Sequence, residues 1–61
     1  MKRRELIRHL ESHGCTLLRE GGSHTLYVNR QTGKVSAVPR HAEVKEFTAL
    51  KILKDLEVPR P

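Results

Sequence analysis

Hydrophobic residues are spaced in two ways along this chain, and the change of spacing marks where helix gives way to strand. Leu6, Ile7 and Leu10 fall at i, i+1 and i+4, one stripe of a helix over Lys2–His13. Gly14 follows where a helix commonly closes on a left-handed residue. Arg3 stands near the stripe, where its stem lets the charge snorkel outward. Cys15–Glu20 then reads as a strand centred on Thr16, Leu17 and Leu18. Gly21-Gly22 signals a hairpin, because glycine accepts the positive φ of a tight reversal without a Cβ penalty. His24–Asn29 is the second strand and Lys34–Pro39 the third, joined by a longer turn that Gly33 closes. Pro39 ends the third strand because it cannot donate to the ladder.

After a loop from Arg40 to Val44, Ala49, Ile52, Leu53 and Leu56 repeat at i, i+3, i+4 and i+7. They predict a helix that starts between Lys45 and Thr48 and runs to about Glu57, with Pro59 and Pro61 stopping it. The expected fold is α+β, in the order α-β-β-β-α, as a single domain over residues 1–61. Three antiparallel strands with both helices on one face is the simplest way to bury both stripes. Alternation sets Leu26 and Val28 on one face of the middle strand and Tyr27 on the other. It leaves open which of them meets the helices.

Size and charge narrow the function. A chain of 61 residues encloses no deep cavity for a large cofactor, and none is expected. A surface groove, or a face shared with a partner, is the realistic site. Lys and Arg number 12 against 7 Asp and Glu, a net charge of +5. Such an excess favours an anionic partner: nucleic acid, an acidic protein or anionic lipid. The single cysteine, Cys15, excludes an internal disulfide and fits a reducing cytoplasm. Glu5, Arg8, His9 and Glu11 interrupt the stretch after Met1-Lys2-Arg3-Arg4, so it does not read as a signal peptide. No apolar run approaches the roughly 20 residues that span a bilayer.

One histidine stands out. His24 follows Gly21-Gly22-Ser23 and opens a strand at a fixed place, among arginines and lysines. An imidazole titrates close enough to neutrality to take or give a proton, and cations can hold a phosphate. That combination suits acid–base chemistry on a phosphodiester. The plainer reading is a polar residue at a turn. Arg19, Arg30, Lys34 and Arg40 lie on strands or turns from which they can reach phosphate.

Several segments together resemble the HicA family. They are Arg19-Glu20-Gly21-Gly22-Ser23-His24, the aromatic Tyr27, Val38-Pro39-Arg40-His41 and Thr48 followed by Ile52-Leu53. HicA proteins are small bacterial toxins of toxin–antitoxin pairs. They have a double-stranded-RNA-binding-domain-like fold and act as mRNA-cleaving endoribonucleases. The resemblance runs from about Leu6 to Val58. It implies that His24 is the catalytic histidine, preceded by Gly22 and Ser23 at the substrate. It also implies that His41 contributes, that mRNA is the substrate and that a HicB-like antitoxin is the partner. Glu46-Phe47 stands where the family commonly has Pro-Gly, and Cys15 where it often has a large aromatic.

The other chemically notable residues have simpler readings. His9 and His13 have the i, i+4 spacing of a two-histidine metal site, but no third ligand is apparent, and packing at the core edge or plain exposure is the simpler reading. Cys15 reads as a small hydrophobe, Tyr27 as core, and Lys51 and Lys54 as a solvated face. Two rivals to a metal-independent ribonuclease remain. One is a non-catalytic RNA-binding module of the same fold. The other is a protein-interaction domain whose charge serves an acidic partner. No membrane role is expected.

Overall fold

In the computed structural model, which describes residues 1–61, the chain runs α1 (Arg3–Ser12), β1 (Cys15–Glu20), β2 (His24–Asn29), β3 (Val35–Pro39), α2 (Glu46–Asp55). This is the expected α-β-β-β-α order, a small α+β fold. The elements are trimmed at their ends: Lys2 and His13 are caps of α1, and Lys34 precedes β3. The glycine after α1 does what the pattern predicts. Gly14 takes φ 84 and its N–H closes on the Glu11 carbonyl at 3.2 Å.

The end of α2 differs from expectation. The helix stops at Asp55, well before Pro59. Glu57 sits at φ 56, the Val58 N–H reaches back to the Leu53 carbonyl at 2.9 Å, and the Glu57 N–H reaches Lys54 at 3.1 Å. This pair of bonds is a Schellman closure, reinforced by burial of Val58 and Leu53. The turn, not the proline, ends the helix. The start of α2 at Glu46 shows that Glu46-Phe47 serves as a helix opening, with Phe47 left 80% exposed.

The sheet is antiparallel in the order β1-β2-β3. β1 pairs Cys15 with Asn29, Thr16 with Val28 and Leu17 with Tyr27, then shifts register so that Arg19 meets Leu26. The shift leaves Leu18 as the extra residue of a bulge, so Leu18 and Arg19 together oppose Leu26. β2 pairs with β3 from His24–Pro39 through Val28–Val35.

Both helices pack on one face. Leu6 and Leu10 from α1, Ala49, Ile52 and Leu53 from α2, and Cys15, Tyr27 and Val38 from the strands form one core. The open question about β2 is thereby settled: Thr25, Tyr27 and Asn29 face the helices, and Leu26 and Val28 face away. Asn29 is buried because its Nδ2 donates to the Leu56 carbonyl at 2.7 Å and its Oδ1 accepts from the Gln31 N–H at 2.9 Å. On the outer side, Arg30 Nε donates to Thr16 Oγ1 at 2.8 Å, beside Val28. Cys15 lies wholly buried under α1, and burial pushes its thiol pKa up. Only 14 of 61 residues are buried, so each large core side chain carries a large share of the stability.

Candidate active site

The hinge before His24 is tighter than a glycine-rich loop needs to be. The Gly21 N–H donates to the His24 carbonyl at 2.9 Å, leaving Gly22 and Ser23 as the loop. Neither Gly21 nor Gly22 adopts a positive φ, so the expected reason for glycine here is wrong. The reason at Gly21 is close approach: a Cβ there would meet the His24 carbonyl oxygen at 2.9 Å. A Cβ at Gly22 would meet nothing within 4 Å. Opposite effects are expected in denaturant unfolding. Gly21→Ala should destabilise by about 1–3 kcal/mol through overpacking. Gly22→Ala should be neutral or stabilise by up to about 1 kcal/mol, by restricting the unfolded chain. Equal losses at the two positions would show that steric approach does not dictate the hinge.

Two arginines hold this hinge from the helix side. Arg40 Nη2 donates to the Gly21 carbonyl at 2.8 Å and pairs with the Glu20 carboxylate, while its Nε donates to Thr25 Oγ1 at 3.3 Å. Arg3 Nη2 reaches the same hydroxyl at 3.2 Å, and its Nε donates to the Pro39 carbonyl at 2.8 Å. Arg3 thus points into the fold instead of snorkelling outward. Arg40, expected to grip phosphate, commits Nη2 to the hinge and Glu20 and Nε to β2. Four pieces of chain (the α1 start, the hinge, β2 and the end of β3) are tied at Thr25.

His24 projects to the outer side, opposite Thr25. It shares a cleft of about 680 Å³ with Ala37, Pro39, His41, Glu43, Val44, Lys45 and Thr48. The cleft wraps the β3 edge and ends at the first turn of α2. Ser23 Oγ lies 3.0 Å from His24 Nδ1. Whichever of them donates, that contact engages Nδ1, and no hydrogen bond engages Nε2. The loop that carries His41 is pinned at its far end. The Arg3 N–H donates to the Ala42 carbonyl and the Val44 N–H to the Met1 carbonyl, both at 2.8 Å. The terminal ammonium binds Glu43 Oε2 at 2.8 Å, which holds that carboxyl below its ordinary pKa. Glu43 therefore brings little uncompensated negative charge to the cleft. At its other side, Lys45 stands at the N-cap of α2 and makes no side-chain cap, so the N–H groups of the first turn stay open.

The expected site residues divide in three. Gly22, Ser23, His24 and His41 come together, at the hinge and in the cleft beside it. Arg19 faces outward opposite Leu26, about 7 Å along and one strand spacing of about 4.8 Å across from His24, within an arginine's reach. Lys34 is not brought near: its neighbour Val35 pairs with Val28, four positions and about 13 Å along β2 from His24. Arg30 belongs to that same distant end. Sequence reasoning missed Lys45 and Thr48. The signal was the brevity of the Arg40–Val44 loop, which forces the start of α2 back toward the strand end it has just left.

His9 and His13 lie side by side at the end of α1. Their ring centroids are 4.7 Å apart with the planes tilted by 60°, His9 Nε2 is 2.6 Å from the Pro59 carbonyl, and no group of three ligating side chains forms in the chain. Tyr27 is core, as its 7% exposure shows. No helix is long and apolar enough to cross a membrane.

No curated protein and no solved structure gives a significant match to this chain. The family model described as HicA toxin of bacterial toxin–antitoxin matches residues 3–58. That span takes in the hinge, both cleft histidines and every element of the fold, and the chain belongs to the HicA toxin family.

Proposed function

We propose that the chain is a metal-independent endoribonuclease, that it cleaves mRNA in the cytoplasm and that a HicB-like antitoxin restrains it. The observation that carries this reading is the pairing of His24 and His41 in one cleft beside Lys45 and the open first turn of α2. Two imidazoles supply the two proton transfers that RNA cleavage needs. One takes the proton from the ribose 2′-OH as O2′ bonds to phosphorus. The other gives a proton to the 5′-oxygen as the P–O5′ bond breaks. Lys45 and the α2 N–H groups suit the charge that builds on the phosphate oxygens. Arg19 suits a neighbouring phosphate. Ser23 fixes the His24 ring, and Arg40 acts on the site through the hinge.

The test is incubation of the purified chain with single-stranded RNA. Cleavage with 2′,3′-cyclic phosphate ends, or their hydrolysis products, is expected. Because the chain offers no cluster of three metal-ligating side chains, a chelator should leave the rate unchanged. Loss of cleavage in EDTA with recovery in Mg²⁺ would overturn the metal-independent mechanism. Tight RNA binding with no cleavage would favour the binding-module rival.

A further inference from the structure

Phe47 is the only phenylalanine of the chain and the most exposed of its large apolar side chains, 80% open to solvent. It belongs neither to the core nor to the partly buried residues packed against it. Nor does α2 need it, since phenylalanine is a poorer helix former than alanine, lysine or glutamate. Its place is the mouth of the histidine cleft. Phe47 is the second residue of α2 and stands between Lys45 and Thr48, which both line the cleft. At about 100° of turn per residue, it sits at the rim and not in the wall. Helical side chains lean toward the N-terminal end, so the ring leans out over the start of α2. Glu46, the acidic residue of the same turn, lies instead in a separate groove with Met1, Ala49 and Leu50.

We propose that Phe47 is a base-stacking subsite: its ring takes the face of an unpaired nucleobase on an RNA strand whose backbone runs through the cleft. The inference rests on RNA being the ligand of the cleft and does not require His24 to be catalytic. Two observations favour a nucleobase as the occupant. Stacking needs a ring with a free face, and the only other Phe, Tyr or Trp ring, that of Tyr27, is buried in the core. Lys45 stands two residues away at the cleft, on a chain of net charge +5, so an anionic backbone and its base are met side by side. A cationic groove beside an aromatic platform is how proteins hold single strands. A base within a duplex has its faces covered by its neighbours, so the ring selects an unpaired strand. Every base has a π-face, so the stack holds the strand in register without demanding one sequence.

The test uses the full chain and a single-stranded RNA oligonucleotide of defined sequence. Phe47→Ala should lower kcat/KM for its cleavage by about fivefold to a hundredfold, the range of one lost base stack, with thermal unfolding unchanged. Phe47→Trp should keep cleavage, because a stack needs a ring and not one particular side chain. Val35→Ala, at an exposed apolar position far along the sheet from His24, should cleave as the parent does. Removing the base from a nucleotide beside the cleaved bond should slow the parent but leave Phe47→Ala little changed, since ring and base form one contact. The all-2′-O-methyl form of the same strand has no 2′-OH to attack, so it reports binding alone. It should shift the ring resonances of Phe47 in the unsubstituted chain, which are unambiguous with a single phenylalanine and read the contact even if a variant folds poorly. Cleavage by Phe47→Ala within twofold of the parent, or equal abasic losses in both chains, overturns the proposal. A ring unmoved by the bound strand overturns it too, and would leave Phe47 to a protein partner. Failure of the ribonuclease reading shows separately: the strand binds and moves the ring, but the unmodified RNA stays uncut. RNA that neither binds nor is cut overturns both.

Discussion

His24→Ala is expected to fold as the parent does and to lose RNA cleavage by about 10²- to 10⁴-fold, the range of a positioned general acid or base. The side chain is exposed and its one side-chain hydrogen bond is with Ser23, so its removal leaves the core untouched. An exposed substitution of this kind changes stability within about 0.5 kcal/mol. The backbone of residue 24 still accepts the Gly21 bond, so the hinge keeps its shape. Growth arrest on induced expression should disappear together with cleavage. His41→Ala should also reduce cleavage, since the proposed mechanism assigns it one of the two proton transfers. His13→Ala, at the C-cap of α1, should not. Cleavage by His24→Ala near the parent rate would remove His24 from the mechanism.

Leu10→Ala is expected to remove activity by a different route. Leu10 is fully buried in the single core, where loss of a leucine side chain costs about 2–5 kcal/mol. At roughly 0.05–0.15 kcal/mol per residue, a chain of 61 residues has only about 3–9 kcal/mol to lose. The variant should therefore be largely unfolded at growth temperature, or melt far below the parent, as followed by circular dichroism in urea. Toxicity should fall with the folded fraction, although Leu10 lines no part of the cleft. A melting curve like the parent's would mean that the core collapses around the gap much better than its packing suggests.

The order of elements was legible because each hydrophobic stripe has its own period, and Gly14, Gly21 and Pro39 punctuate them. The facing of β2 was not. Alternation offers two sets of residues, and the one turned inward contains the polar Thr25 and Asn29. Their partners, Arg3 and Arg40 for one and Leu56 for the other, come from distant parts of the chain. Arg40 misled for the same reason. Read locally it is a free cation after a strand, but the fold sets Glu20 and Gly21 against it. The hinge and the two histidines could be read from adjacent residues. Lys45 and Thr48 could not, since they join the cleft only when α2 folds back along β3. Glu57 in the left-handed region carries no sequence sign at all, glycine being the usual residue there.

The burial of Cys15 equips this protein with its own reporter. It is the only thiol in the chain, it is closed off from solvent, and its raised pKa keeps the thiolate scarce. A thiol reagent can therefore react with the native chain only when α1 lifts from the start of β1. The labelling rate measures how often that opening occurs, without an introduced dye or a foreign cysteine. Because the hinge and the cleft lie at the far end of the same sheet, ligands there should slow the labelling only through whole-domain stabilisation. Labelling would then separate partners that stabilise the fold from partners that merely cover His24.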